Sequence, residues 1–276
     1  SFTFKFLGTG TSVGVPQIGC SCPVCTSADI RDKRRRCGAY VSCGACSMLI
    51  DTPPEMRLSC CEYGISKVDA VLLTHAHVDH VAGFDDIRRF NTINGRIDEH
   101  NLVNGRCRVI GKIMPVFAMR ETERQMRQMF PYISDRGGEH GLYRPQVVFK
   151  NDDRFEFGSG DERIEVVRLK VEHGFPCCGY LFKCGSGSLA YVSDCHELPE
   201  ETMEKMRSVD VLVLNCLRDR EHPTHLTTER SLGYIRKIMP GRAFLTHMCH
   251  DFSHAQWLDR LPHGIEPAHD GLEIHI

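Results

Sequence analysis

The sequence predicts an α/β protein made of two similar halves packed sheet against sheet. Apolar runs typical of strands recur along its 276 residues, and helical patterns separate many of them. Strand-like runs dominate the early part of each half and helices follow, which is the order expected for layered sheets covered by helices. The sequence has no internal repeat and no Pro/Ser-rich linker, so we expect one domain over residues 1–276.

The elements follow from hydrophobic patterning in chain order. Residues 2–7 alternate like a half-buried strand, and 68–73 are continuously apolar like a buried one. Pro199 precedes one predicted helix, while Gly64 and Gly241 follow two others as stop signals. The predicted strands are 2–7, 39–50, 68–73, 164–171, 179–183, 189–192, 209–214, 243–245 and 272–276. The predicted helices are 55–63, 79–90, 121–129, 200–207, 228–239 and 255–261.

Charge and hydropathy exclude several classes of protein. The chain has 34 Lys plus Arg against 36 Asp plus Glu, whereas proteins that coat nucleic acids usually carry a large basic excess. No apolar run approaches the roughly 18 residues of a transmembrane helix. The alternating start predicts a strand rather than a secretory segment, so we expect a cytoplasmic protein.

Cysteine and histidine are the unusual part of the composition, with 15 residues of each. An odd number of cysteines, in a chain long enough to fold without staples, favours reduced thiols and metal ligands over a disulfide framework. Most of these cysteines are expected to be small buried hydrophobes.

A dense group of possible ligands follows the strand-like run 68–73. His75, His77, Asp79 and His80 form an HxHxDH pattern. In an extended segment residues i and i+2 point the same way, so His75 and His77 can bind one ion. A helix starting near Asp79 would bring Asp79 and His80 toward a second position. Imidazole and carboxylate without thiolate suit Zn²⁺, Mn²⁺ or Fe²⁺.

This pattern resembles the signature of the metallo-β-lactamase-fold hydrolases, which implies a four-layer αββα sandwich with two mixed sheets face to face and helices outside. Three further ligand positions of that family can be matched just after predicted strands. By resemblance, the first metal takes His75, His77, His173 and Asp194. The second takes Asp79, His80, His247 and the same Asp194.

The resemblance also implies the chemistry. Two divalent ions bridged in this way lie about 3.5–4 Å apart and lower the pKa of a shared water, which gives a hydroxide nucleophile near neutral pH. They also neutralise negative oxygens that develop on phosphorus or carbon. With His77 where oxygen-reducing relatives usually have a carboxylate, the site is expected to be hydrolytic.

A second cluster lies near the start of the sequence. Cys20, Cys22 and Cys25 need a fourth ligand to complete a tetrahedral structural zinc site. His250 is the preferred fourth ligand, and Cys249 is the alternative. We call Cys20, Cys22 and Cys25 the cysteine knuckle. It is similar to that of the PhnP-type phosphodiesterases, which cleave cyclic phosphate esters.

The same resemblance implies a histidine that acts on the leaving group. His225 matches that place as a general acid or a contact to the transition-state phosphate, and His222 is the alternative. Asp79 is counted with His225 among the catalytic residues.

Weaker features are interpreted structurally. Cys43 and Cys46 form a CxxC pattern, but they lie within a predicted strand, where i and i+3 face opposite sides. Asp51 follows the same strand and could brace the metal loop. Residues 91–108 are polar and aperiodic and predict a surface loop. They belong to an insertion, around 91–146, that we expect near the active-site mouth.

The sequence therefore predicts a dinuclear metal-dependent phosphodiesterase that hydrolyses small (cyclic) phosphodiesters through a metal-bound hydroxide. The alternatives are a tRNA 3′-processing endoribonuclease, an esterase or thioesterase of the same fold, and, least favoured, a non-catalytic metal-binding protein. The expected cofactors are two active-site ions (Zn, Mn or Fe) and one structural Zn. The expected partner is a small phosphodiester rather than a membrane. Nucleic acid is a less favoured partner, and a homodimer stays open.

Overall fold

The computed structural model describes residues 1–103, 106–133 and 144–276, with the side chains of 96–110 and 161 left out. The Cα positions divide the chain into two compact units. The first unit comprises residues 1–46 and 153–276, and the second unit comprises residues 47–152.

One seven-stranded sheet lies wholly within the first unit. Its strands are β9 (Arg154–Phe157), β10 (Ile164–Lys170), β11 (Cys178–Cys184), β12 (Gly187–Val192), β13 (Val211–Asn215), β14 (Arg242–Thr246) and β15 (Ile265–Pro267). They are hydrogen-bonded in chain order. Pairing is antiparallel from β9 to β12 and parallel from β12 to β15. The carboxyl ends of four parallel strands therefore share one edge of this sheet.

Helices of the first unit cover one face of that sheet. They are α5 (Glu200–Met206), α6 (Thr228–Ile238) and α7 (His254–Arg260). Met206, Ile235 and Trp257 from these three helices are buried in one apolar cluster with Leu212 and Leu245 of the strands. This burial fixes the sheet ends from which several candidate ligands project.

The first unit also contains an antiparallel group of three strands. Strand β1 (Thr3–Gly8) pairs on one side with β16 (Glu273–His275) and on the other with β2 (Gly38–Cys43). The alternation predicted for 2–7 is confirmed by the side chains of Phe4 and Phe6, which are fully buried.

The second unit is a parallel βα arrangement. Its strands β3 (Cys46–Ile50), β4 (Ala70–Leu72), β7 (Met114–Phe117) and β8 (Val147–Lys150) pair in parallel in that order. The helices are α1 (Met56–Glu62), α2 (Val78–Val81), α3 (Ile87–Ile93) and α4 (Arg120–Met129). Strands β5 (Arg96–Val103) and β6 (Arg106–Ile110) form a separate antiparallel pair.

The predicted α/β class with two mixed sheets is confirmed. Across the described residues, the two large sheets hold seven strands each. Among those residues, we find no helix whose length and hydropathy would suit a membrane crossing.

Three local predictions were wrong. The strand predicted for 39–50 is interrupted by a turn at Gly44, whose positive φ of 53° lets β2 and β3 form as two strands. The helix predicted for 79–90 breaks at Gly83, where a Cβ would lie 2.4 Å from the Pro53 carbonyl oxygen. The loop predicted for 91–108 contains strands β5 and β6, because cross-strand pairing stabilises a polar segment without an apolar pattern. Residues 104–105 and 134–143 lie outside the described residues.

Candidate metal centres

The HxHxDH residues lie together in the second unit, at the carboxyl end of β4. We call His75, His77, Asp79 and His80 the second-unit set. His75 Nε2 lies 2.9 Å from His77 Nδ1, and His80 Nε2 lies 3.3 Å from Asp79 Oδ2. Two nitrogens bound tetrahedrally to one Zn²⁺ at about 2.0–2.1 Å would be about 3.3 Å apart. The second-unit set therefore has spacings close to those of metal ligands.

Asp51 contacts this set through a fully buried carboxylate. Its oxygens accept hydrogen bonds from the Thr74 backbone N–H at 2.8 Å and from Thr74 Oγ1 at 2.7 Å. Asp51 Oδ2 also lies 2.7 Å from His80 Nδ1. Burial raises the pKa of Asp51, and the contacts with His80 and Thr74 oppose that rise. A carboxylate here accepts the Nδ1 proton of His80, so His80 Nε2 carries the lone pair.

The Asp51 carboxylate also sets the tautomer of His75, indirectly, through the Thr74 hydroxyl. The Thr74 hydroxyl donates its proton to Asp51, and its oxygen lies 2.9 Å from His75 Nδ1. That oxygen must therefore accept the His75 Nδ1 proton, which leaves the lone pair on His75 Nε2. Asp51 thus prepares two histidines of the second-unit set for ligation.

Three further predicted ligands lie together in the first unit. We call His173, Asp194 and His247 the first-unit set. His247 Nε2 lies 3.1 Å from Asp194 Oδ1, and His173 Nε2 lies 3.9 Å from the same oxygen. All three side chains are at most 2% exposed. His173 Nδ1 lies 2.7 Å from the Thr224 carbonyl oxygen, which can only accept, so His173 Nε2 also carries its lone pair.

Backbone pairing holds the loops of the first-unit set. Glu172, next to His173, forms an antiparallel bridge with Glu197 in the loop after Asp194. Met248, next to His247, accepts a hydrogen bond from the Thr11 N–H and donates one to the Thr9 carbonyl. His247 itself has a φ of 61°, which is unusual for a residue other than glycine. The ligand positions are therefore fixed by the backbone as well as by side-chain contacts.

His225 lies beside this set with the opposite tautomer. Its ring stacks on that of His247 at a centroid distance of 4.4 Å. Asn215 accepts the Leu226 N–H on Oδ1, and its Nδ2 donates to the Ser193 carbonyl. The same Nδ2 lies 3.4 Å from His225 Nδ1, which must accept. The proton of neutral His225 is therefore on Nε2, where it can be donated to another group.

The surroundings of His225 favour its neutral form. Burial, followed by the neighbouring His247, lowers the pKa of His225 to about 2. A neutral imidazole at pH 7 is a hydrogen-bond donor rather than a reservoir of an acidic proton. His222, the alternative, lies with its ring 5.0 Å from His225, and its Nδ1 faces the Thr224 backbone N–H. Burial also lowers the pKa of His222.

The cysteine knuckle and His250 also come together in the first unit. Nδ1 of His250 lies 3.4, 3.5 and 3.2 Å from the Sγ atoms of Cys20, Cys22 and Cys25. A tetrahedral Zn²⁺ with Zn–S near 2.3 Å and Zn–N near 2.0 Å would place S and N about 3.5 Å apart. One ligand atom from each of the four residues lies within 4.8 Å of the others. Cys249 does not belong to this group of four.

The electrostatics of the knuckle favour a bound cation. A hydrogen bond from the Cys25 backbone N–H is the largest influence lowering the pKa of Cys22 to about 6. Burial raises the pKa of Cys25 to about 11, although the Gln17 backbone N–H points at its sulfur from 3.4 Å. A cation held between these sulfurs would stabilise both thiolates.

Comparison with known proteins identifies the family. A model described as a β-lactamase superfamily domain matches residues 47–248. The chain belongs to the β-lactamase superfamily. Its resemblance to the metallo-β-lactamase-fold hydrolases, and to the PhnP group within them, is confirmed. A solved diphosphatase of the PhnP family is 33% identical, with a TM-score of 0.84 over 100% of this chain and 98% of its own.

Two further proteins are similar to this chain. Zn²⁺-bound PqqB from Methylobacterium extorquens has a TM-score of 0.73 at 18% identity, over 99% of this chain and 100% of its own, and so shares the metallo-β-lactamase fold. A protein of Porphyromonas gingivalis named octanoyltransferase is 33% identical over 274 residues, which is 98% of this chain. The match covers 51% of that protein, so the chain spans about half the length of this relative.

Sequence reasoning suggested Asp51 as a brace of the metal loop, but it missed the other groups that orient the histidines. Asn215 is the last residue of an apolar strand, and a polar residue at that position was its only available signal. The Thr224 carbonyl has no signature in the sequence. Thr74 directly precedes the HxHxDH motif, but its role depends on its hydrogen bond to Asp51, which is 23 positions earlier in the sequence.

Proposed function

We propose that this hydrolase is a dinuclear metal-dependent phosphodiesterase acting on small phosphodiesters. In this proposal the second-unit set and the first-unit set supply the ligands of one metal pair, divided as the family resemblance implies. The observation that carries the proposal is the tautomer pattern. His75, His80 and His173 each have Nδ1 engaged and Nε2 prepared as a ligand, while His225 presents Nε2–H.

Two divalent ions bound there would supply an activated water and neutralise charge on the phosphate oxygens. The chain's own residues would do the rest. Asp51 holds His75 and His80 in the ligating tautomer, and the Thr224 carbonyl does the same for His173. His225, held by Asn215, would donate its Nε2 hydrogen bond to an oxygen of the phosphate or of the leaving group.

His225 thus acts as a neutral contact to the transition state, which is one of the two roles expected from the sequence. A general acid would need a proton that burial disfavours, since the pKa of His225 is lowered to about 2. The other expected role, proton donation to the leaving alkoxide, would require bound substrate to raise that pKa by several units.

The choice between His225 and His222 is tested by matched alanine variants. We expect His225→Ala to lose turnover of bis(p-nitrophenyl) phosphate by about 100-fold or more while binding the same number of metal ions. His222→Ala is the control and should keep most of the activity. If His225→Ala turned over at the wild-type rate, its assigned role would be wrong.

The metal assignment is tested by Asp194. We expect Asp194→Ala to lose the pair of active-site ions, measured by metal analysis of the purified protein, because one carboxylate is assigned to both. The cysteine knuckle should keep its zinc in this variant. Two tightly retained active-site ions would refute the bridging role.

A second candidate activity is hydrolysis of an acyl ester or thioester. It is favoured by the match to about half of a protein named octanoyltransferase. A substrate panel containing cyclic nucleotides, a diphosphate ester, an octanoyl thioester and a precursor tRNA would separate the candidates. The phosphodiesterase proposal expects turnover of the phosphate esters, and activity on the thioester alone would replace it.

A further inference from the structure

Two cysteines outside the candidate metal centres lie sulfur to sulfur in the first unit. Cys43 Sγ is 3.4 Å from Cys184 Sγ. Both are reduced thiols with 1% and 3% of their surface exposed. Cys43 is the last residue of β2 and Cys184 is the last residue of β11, so the pair joins the ends of two strands that belong to different sheets.

Each thiol lies next to an exposed turn. Gly44 follows Cys43 and Gly185 follows Cys184, and both glycines are exposed with positive φ. Two segments lie against the sulfurs: Glu162, whose carbonyl is 3.2 Å from Cys43 Sγ, and Ser1, whose carbonyl is 3.6 Å from Cys43 Sγ and 4.0 Å from Cys184 Sγ. Opening of either turn by a few residues would expose the pair.

The sequence pattern suggested a different partner. Cys43 and Cys46 form the CxxC motif, but the turn after Cys43 places Cys46 at the start of β3. The Sγ of Cys43 instead faces Cys184 and the Glu162 carbonyl oxygen, which it approaches to 3.2 Å. Other buried thiols face different groups: Cys37 Sγ lies 3.6 Å from Thr246 Oγ1, and Cys60 Sγ lies 3.7 Å from Met56 Sδ.

We propose that Cys43 and Cys184 are a reversible oxidation site, which forms an intramolecular disulfide when the protein meets hydrogen peroxide. A disulfide requires sulfurs about 2.05 Å apart. The pair must therefore close by about 1.3 Å, which rotation of the two side chains supplies in part.

The reaction is balanced with peroxide as the two-electron oxidant. A thiolate of the pair attacks one peroxide oxygen, the O–O bond breaks, and a sulfenic acid forms with release of hydroxide, which becomes water on protonation. The other sulfur then attacks the sulfenic sulfur, the S–O bond breaks, and a second water leaves. Both sulfhydryl protons are lost, and the peroxide is reduced to two waters.

Oxidation at neutral pH should be slow. Burial raises the pKa of Cys43 to about 11. Below that pKa the thiolate fraction rises about tenfold per pH unit, so the disulfide should form faster at pH 8.5 than at pH 7.5.

The test uses the full chain saturated with Zn²⁺, which protects the knuckle cysteines. After peroxide treatment the remaining thiols are alkylated, and the protein is digested with trypsin without reductant. Cleavage after Arg36, Arg57, Lys183 and Lys205 gives peptides 37–57 and 184–205. We expect these two peptides to be linked, with a mass two hydrogen atoms below their sum, and to separate on reduction with dithiothreitol.

Matched variants identify the cysteines involved, because peptide 37–57 also contains Cys37 and Cys46, and peptide 184–205 also contains Cys195. Cys43→Ser and Cys184→Ser should each lose the linked peptide, and Cys46→Ser should keep it. Fragment ions of the wild-type linked peptide locate the bond without any variant. The proposal is overturned if the link survives in Cys43→Ser or is lost in Cys46→Ser. It is equally overturned if wild type forms no link at a peroxide dose that oxidises the exposed Cys61.

Discussion

The sharpest prediction concerns Asp51, which touches no proposed substrate and yet should control metal binding. Its carboxylate accepts from the Thr74 N–H and Oγ1 and from His80 Nδ1, at 2.7–2.8 Å. Asp51→Asn keeps one oxygen for the Thr74 N–H but turns an NH₂ group toward the other two. That group donates, so Thr74 Oγ1 and His80 Nδ1 must become acceptors.

The consequence reaches both histidines of the motif. The Thr74 hydroxyl would then donate to His75 Nδ1, and His75 and His80 would both carry their protons on Nε2. Each would have to change tautomer before binding a metal through that nitrogen. Losing such an orienting partner typically costs 10–100-fold in affinity. We therefore expect Asp51→Asn to bind Zn²⁺ or Mn²⁺ in the active site about 100-fold more weakly, or about 2.7 kcal/mol.

Asp51→Ala is the contrasting variant, because it separates orientation from stability. Removing the carboxylate takes away the acceptor used by buried donors of Thr74 and His80, which costs about 1–3 kcal/mol for each donor left unsatisfied. An alanine at the φ of 60° that Asp51 adopts adds roughly 1 kcal/mol of backbone strain, whereas asparagine tolerates that conformation. The metal-free Ala variant should melt about 10 °C below wild type, and the Asn variant only a few degrees below.

The assay is titration calorimetry of the metal-free proteins, paired with thermal unfolding without metal. The knuckle zinc is left in place by mild chelation, checked by metal analysis. If Asp51→Asn bound the active-site metals with wild-type affinity, the tautomer argument would fail even if the variant were less stable.

Three further predictions concern other parts of the first unit. Asn215→Asp should raise the pKa of His225 by at least about one unit, measured by NMR titration of the metal-free protein, because a carboxylate facing Nδ1 stabilises the imidazolium. An unchanged His225 titration would count against the contact with Asn215. His250→Ala should lower the zinc content of the purified protein by one ion per chain, whereas Cys249→Ser should leave it unchanged; loss in the Cys249 variant would favour the alternative ligand. His254 is buried, and burial, followed by the nearby Arg34, lowers its pKa to about 4. Its neutral form therefore stabilises the fold above the unfolded pKa near 6.5, and that contribution is lost as the pH falls from 6.5 toward 4. Between pH 7 and pH 5 the free energy of unfolding should drop by about 2 kcal/mol more in wild type than in His254→Gln, measured in urea. Equal pH slopes would refute this.

The sequence predicted the fold class correctly, and it picked out candidate ligand residues, whose role stays a prediction, for the same reason. Buried strands can be recognised as runs of apolar residues in the sequence. In α/β proteins the polar residues just after these strands gather at the edge of the sheet where functional sites form. His173 follows β10, Asp194 follows β12 and His247 follows β14 in that way. Strands β7, β8, β9 and β15 were among those missed. Arg154–Phe157 alternates charge with aromatic rings, and Ile265–Pro267 is only three residues long.

The orienting hydrogen bonds could not be predicted, because they depend on distances between residues far apart in sequence. The contact of His80 with Asp51 joins residues separated by 29 positions, and that of His173 with the Thr224 carbonyl spans 51. The acceptor that contacts His173 is a main-chain oxygen. Almost any residue could have supplied such an oxygen, so nothing in the sequence marks Thr224 as the partner. Pattern recognition therefore found the candidate ligands and Asp51, but not the Thr224 carbonyl or Asn215, which contact His173 and His225.

The short stretch from His247 to His250 connects residues of the two candidate metal centres. His247, assigned to the active site, and His250, assigned to the knuckle, are separated by two residues, Met248 and Cys249. Both intervening residues are buried and use their backbone N–H groups in hydrogen bonds, to Thr9 and Leu217. The backbone of residues 247–250 therefore has little freedom to move. A zinc ion at the knuckle would fix His250, and through this short pinned segment it would restrict the backbone of His247. In that case removing the knuckle zinc should weaken active-site metal binding as well as stability.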